Sequence, residues 1–294
     1  MACSTTRIHH REDLVEASDG LQLFEQSWSP EVVKALIVVV HGYAEHSARY
    51  ESAALHLARK GYAVQAFDLR GHGRSQGKRC FVRAFDDYLD DLHVVLLRAT
   101  RTWPRKPVFL LAHSLGGLIA SLYVISERAE LSGFILSAPS VKLGRDFSQL
   151  KARASLVLGR LFPHLPMIRF RSSSLSRDSA VVQAYQTDAL VYHGRTPART
   201  ASEIIRAIQR VQLNVERIAI PLLVMHGSQD QVADIEGSKE LYARARSRDK
   251  RIRICDGLYH EIMNEPEKAS VLDEMSDWLD VRTSQLVAED QLPN

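Results

Sequence analysis

The segment from Pro107 to Ser126 constrains the fold more than any other stretch of the chain. An apolar run from Val108 to Leu111 meets Ala112-His-Ser114-Leu-Gly-Gly117, and apolar residues then return at helical spacing through Leu118, Ile119, Leu122 and Ile125. The pattern predicts a buried strand, a sharp turn and a helix. Ser114 falls at the apex. So tight a turn pushes the apex residue toward a strained backbone and admits only small neighbours, which Ala112, Gly116 and Gly117 supply. The hydroxyl is thereby presented outward. The amide of Leu115 opens the helix, so an unpaired N–H and the positive end of the helix dipole face the same space and suit a developing oxyanion. The bland reading is a glycine turn that caps a helix.

On either side, strands and helices alternate. Ser18-Asp-Gly20, between alternating segments from Val15 to Trp28, predicts an antiparallel hairpin at a sheet edge. Ala35 to Val40 is a β-branched run of the kind buried on both faces of a parallel sheet. A helix over 51–59, a strand over 62–67 and a helix over 84–100 lead to the Ser114 segment, and a strand over 131–138 follows it. The loop Asp68 to Ser75 is glycine-rich, but its glycines at 71, 73 and 77 are spaced one residue too long for a dinucleotide-binding turn. It reads as structural.

The alternation then stops. Residues 141–212 hold no strong strand, prolines at 163, 166 and 197, and the apolar stretch Leu156 to Phe170. It resumes with a strand over 220–226, a helix over 236–246, a strand over 250–255 and a last helix carrying Val271, Met275, Trp278 and Leu279 on one face. The tail from Arg282 reads as polar and loose. The expected architecture is α/β: a mostly parallel central sheet flanked by helices, built from residues 1–140 and 213–294, with an inserted helical cap, 141–212, over the strand ends.

The net charge of +3 comes from basic residues interspersed with acidic ones, which argues against nucleic acid as a partner. The N-terminal stretch lacks the apolar core of a signal peptide, and no run reaches the ~18 apolar residues of a membrane span. A cytoplasmic protein, peripheral to membrane at most, is expected. Cys3, Cys80 and Cys255 are scattered, which disfavours a disulfide framework or a zinc site. No cofactor or metal is expected.

The 107–126 segment resembles the nucleophile elbow of the α/β-hydrolases, Gly-x-Ser-x-Gly, with Ala112 in place of the first glycine. In that superfamily the catalytic residues follow in the order serine, acid, histidine, each after a different strand. Ser114, Asp230 and His260 match it. A serine hydroxyl needs an imidazole to take its proton, and the imidazole needs a carboxylate to fix its tautomer and stabilise its charged form. Asp234 is the rival acid, set aside because it can enter the following helix. The resemblance also implies that the loop after the 35–40 strand gives a second oxyanion donor, the amide of Tyr43, beside that of Leu115. His41 shapes that loop.

His41-Gly-Tyr-Ala-Glu-His-Ser-Ala-Arg-Tyr50, Asp68-Leu-Arg-Gly-His-Gly-Arg-Ser75, Leu190-Val-Tyr-His-Gly-Arg-Thr196, His226-Gly-Ser-Gln-Asp230 and Tyr259-His260 narrow the likeness. They resemble the monoacylglycerol lipase and lysophospholipase family over nearly the whole chain. That resemblance implies a lipid ester substrate, an acyl-enzyme at Ser114 and transient contact of the cap with a membrane surface. Lysophospholipids and broad carboxylic esters are alternative substrates. A non-catalytic binder on the same fold and an aminopeptidase are the competing classes. The cap holds Leu156, Val157, Leu158, Leu161, Phe162, Leu165, Met167, Ile168 and Phe170, with Arg153, Arg160, Arg169 and Arg171 among them. Part of this surface is expected to face outward.

Overall fold

A computed structural model describes residues 7–143, 149–169 and 172–289. The Asp19-Gly20 turn joins β1 (Ile8–Glu16) to β2 (Gln22–Pro30) as an antiparallel pair. Then come β3 (Ala35–Val40), α1 (Glu51–Arg59), β4 (Tyr62–Phe67), α2 (Asp86–Thr102), β5 (Val108–His113), α3 (Leu115–Ile125) and β6 (Gly133–Ser137). The insertion follows with α4 (Gln149–Leu161), β7 (Pro166–Arg169), α5 (Ser179–Thr187), β8 (Arg195–Pro197) and α6 (Ala198–Asn214). The chain closes with β9 (Leu222–Gly227), α7 (Ile235–Arg244), β10 (Lys250–Cys255) and α8 (Lys268–Glu289).

Eight strands form one sheet in the order β1-β2-β4-β3-β5-β6-β9-β10, parallel from β4 to β10. The β-branched run of β3 suits its place because neighbours pair on both sides and every residue is buried. Alternate side chains feed two cores. Leu36, Val38 and Val40 pack with Leu92, Val95 and Leu118 of α2 and α3, and Ile37 and Val39 with Leu57, Met275 and Trp278 of α1 and α8. Each such burial contributes about 1.5–3 kcal/mol. Parallel strands end at one edge of the sheet, so the loops after β3, β5, β6, β9 and β10 converge there.

Two local expectations change. Residues 282–289 are no loose tail, since α8 continues to Glu289, and residues 290–294 lie outside the described residues. Nothing between Val281 and Glu289 breaks a helix, Arg282 stacks on the Trp278 ring at 3.9 Å and pairs with Asp249, and Thr283 is buried. The insertion is also not purely helical: β7 and β8 pair antiparallel. Three or four residues each, with prolines at 166 and 197, are too short to show a strand period in sequence. Cys3, Phe170 and Arg171 lie outside the described residues.

Candidate active site

The turn between β5 and α3 has the strained apex that its sequence demands. Ser114 takes φ 52° and ψ −115°, a conformation L residues rarely adopt, held by its amide donating to Ser137 O at 3.0 Å. The small neighbours are required by contact: a Cβ on Gly116 would stand 2.1 Å from Val40 O. Ser114 is 8% exposed, and among the described residues its hydroxyl pairs with Ser140 Oγ at 3.2 Å.

Asp230 and His260 meet across the loops after β9 and β10. His260 Nδ1 donates to Asp230 Oδ2 at 2.7 Å, which leaves Nε2 as the proton-accepting nitrogen. The same carboxylate oxygen takes a second imidazole, His226 Nε2 at 3.0 Å, while Oδ1 accepts the amides of Val232 and Ala233 at 2.7 and 3.0 Å. Burial works against the ionised form of Asp230. The two imidazoles outweigh it and hold the carboxyl well below the usual range. Asp234 sits elsewhere, capping α7 by accepting the Glu236 amide at 3.0 Å.

His113 precedes the apex serine, and its ring centroid lies 4.6 Å from that of His260. Burial, then the nearby His260, pushes it down to about 4, so it stays neutral at pH 7 and adds no positive charge beside an imidazolium. The amides of Tyr43 and Leu115 have no protein acceptor among the described residues. His41 shapes the Tyr43 loop as expected, with Nδ1 donating to Gly42 O at 2.7 Å and Nε2 accepting the Leu69 amide at 2.9 Å. The glycine-rich loop is structural too: Asp68 accepts the amides of Ser47 and Arg74, each at 2.7 Å.

Sequence reasoning did not single out His226, Ser140 or the buried group Glu45, Arg49 and Glu261. For His226 a signal existed in its i,i+4 spacing to Asp230. Glu45 and Arg49 share the same i,i+4 spacing, whereas Ser140 and Glu261 carry no signal, because Ser114 and Arg49, which they meet, lie 26 and 212 positions away.

The family model described as serine aminopeptidase, S33, matches residues 31–267. The chain belongs to that family. Among curated relatives, the monoacylglycerol lipase of Mycolicibacterium smegmatis is 35% identical over 94% of this chain and 98% of its own. The monoglyceride lipase of Rattus norvegicus is 35% identical over 90% of this chain and 89% of its own. A solved structure, the monoacylglycerol lipase of Paleococcus ferrophilus, superposes with a TM-score of 0.79 at 28% identity, covering 88% of this chain and 99% of that one.

The part of this S33-family chain that reads least like a core is the insertion. Val157, Leu161, Phe162 and Leu165 are 42–63% exposed, Arg153 and Arg160 are exposed, and Leu156, Leu158 and Met167 are half-buried. The side chains of Ile168 and Arg169 are not described. No helix among the described residues is long and apolar enough to cross a membrane.

Proposed function

We propose that the chain is a serine hydrolase that cleaves carboxylic esters of lipids, monoacylglycerol foremost, to fatty acid and alcohol. The observation that carries the reading is the Asp230–His260 pair at 2.7 Å at the edge of the sheet where Ser114 forms the elbow apex. With Nδ1 committed to Asp230, Nε2 of His260 takes the Ser114 proton as Oγ bonds to the carbonyl carbon. The hydroxyl first turns away from Ser140, at about the 0.5–1.5 kcal/mol net worth of one neutral hydrogen bond. The amides of Tyr43 and Leu115 receive the oxyanion. The carbonyl re-forms, the C–O bond to glycerol breaks, and His260 returns the proton to the leaving oxygen. Water, deprotonated by His260, then attacks the acyl-enzyme and releases the fatty acid with Ser114 restored.

Residues 141–212 serve as the cap over this site in the same reading. The exposed apolar face of α4 and the turn after it, with Arg153 and Arg160 beside it, has the composition of a segment that rests on a lipid surface. The lipases among the relatives support the lipid ester. A chain-length series of glycerol esters, run beside lysophospholipids and aminoacyl anilides, tests it. Hydrolysis of long-chain monoacylglycerol above the others is the expected result, and anilide cleavage alone would overturn it.

A further inference from the structure

One guanidinium ties together the two loops that this chemistry needs in register. Arg49 Nη1 donates to Glu45 Oε2 at 2.6 Å and to Glu261 Oε1 at 2.7 Å, and its Nη2 donates to Glu261 Oε2 at 2.7 Å. Glu45 Oε1 accepts the amide of Gly42 at 2.6 Å and the Tyr50 hydroxyl at 2.7 Å. It therefore pins the backbone immediately before Tyr43. Glu261 follows His260 directly and also accepts Asn264 Nδ2 at 2.9 Å. Both carboxylates are 4% exposed. Burial opposes the charge on Glu261, but Arg49 holds its carboxyl below the ordinary range. Two buried carboxylates share one cation, so neither can drift without leaving a charge unpaired.

The roof over this network belongs to the insertion. Tyr185 of α5 covers the Arg49 guanidinium with its ring centroid 4.8 Å away. The insertion also grips both loops. Glu261 N donates to Leu175 O, Tyr192 N to Ala44 O, and His46 Nε2 pairs with Asp188 Oδ2, each at 2.8 Å.

We propose that Arg49 is a positioning residue that couples the seating of the insertion to the joint alignment of the Tyr43 amide and His260. Tyr185 shields the guanidinium, which keeps its bonds to Glu45 and Glu261 strong in a dry setting. When the insertion lifts, water reaches Arg49 and both loops loosen together. The inference rests on the serine hydrolase reading of the site.

A double-mutant cycle on the full chain tests it, with kcat and KM on a soluble short-chain ester, the rate of fluorophosphonate labelling, and the melting temperature. Arg49→Lys keeps the charge but loses the planar fork that spans two carboxylates. It is expected to lower kcat about 10- to 100-fold with KM within about 3-fold, since a misplacement near 1 Å has that scale of effect. Tyr185→Leu should lower kcat about 3- to 10-fold, and in the Arg49→Lys background it should add less than about 2-fold, because the ring acts through the guanidinium. Should Arg49→Lys fail to fold, Glu261→Gln paired with Tyr185→Leu completes the same cycle. Effects that multiply, or a loss of kcat that only follows the unfolded fraction, overturn the coupling. A wild-type chain that ignores the probe overturns the serine reading itself.

Discussion

The elbow and the insertion solve opposite problems. Around Ser114 the ionisable groups are buried and matched: Asp230 holds two imidazoles and two amides, His41 has a partner on each nitrogen, and Arg49 bridges two carboxylates. In the insertion, Leu161 and Phe162 are 63% and 58% exposed, although each could bury well over a kilocalorie of apolar surface, on the order of 1.5–3 kcal/mol. Buried charges that are paired hold their neighbours in a fixed geometry. Apolar surface left in water is the surface that, in the proposed function, rests on lipid. On the function proposed above, the first region carries the chemistry and the second meets the lipid phase.

The sharpest way to break that division is at the serine. Ser114→Ala should fold normally and lose ester hydrolysis by about 10⁴-fold or more, and His260→Ala should match it, with the double variant no worse, because the two act as a unit. Steady-state turnover on a soluble ester measures this. A tenth of the activity surviving in either variant would move the chemistry elsewhere. Asp230→Asn should lower turnover by about 10³- to 10⁴-fold by leaving His260 in the wrong tautomer.

The buried region also predicts a pH effect on stability. Burial holds His41 down to about 4, His72 to about 3 and His113 to about 4 in the folded chain, against about 6.5 when unfolded. Their contribution is fully present above that value. Between pH 6.5 and 4 the unfolded chain binds up to three more protons, so stability falls with pH by at most about 4 kcal/mol per unit. Urea unfolding at pH 7 and pH 5 reads it out, and equal midpoints would contradict the neutral, buried state of these rings.

The insertion should respond differently. Changing Leu161 and Phe162 together to Ser should weaken binding to anionic vesicles, and hydrolysis of long-chain monoacylglycerol on them, by about 10-fold. Hydrolysis of a soluble short-chain ester should stay within about 2-fold. Equal loss on both substrates with unchanged vesicle binding would make these residues part of the pocket or core. The smallest effect belongs to Asp234→Asn, within about 2-fold in activity, since Asn caps a helix as well as Asp does.

Much of the fold was legible because it is written locally. The apolar run before Ser114, the glycines after it and the helical spacing beyond each report on a few neighbouring residues, and the Asp19-Gly20 turn does the same for the hairpin. The ordering of Asp230 before Asp234 separated a strand-end carboxylate from a helix cap for the same reason. What stayed hidden depends on distance along the chain. Arg49 and Glu261 are separated by 212 positions, and a charged residue does not announce which remote partner it will meet. Nor does a polar composition after Arg282 reveal that Trp278 and Asp249 will hold the helix in register.

The central claim, that Ser114 is the nucleophile activated by His260, is tested most directly by a fluorophosphonate probe and mass spectrometry of the labelled chain. One adduct per chain, on Ser114, formed at a rate that collapses in His260→Ala, is the predicted result. No adduct, or an adduct on a different residue of a folded and active chain, would contradict it.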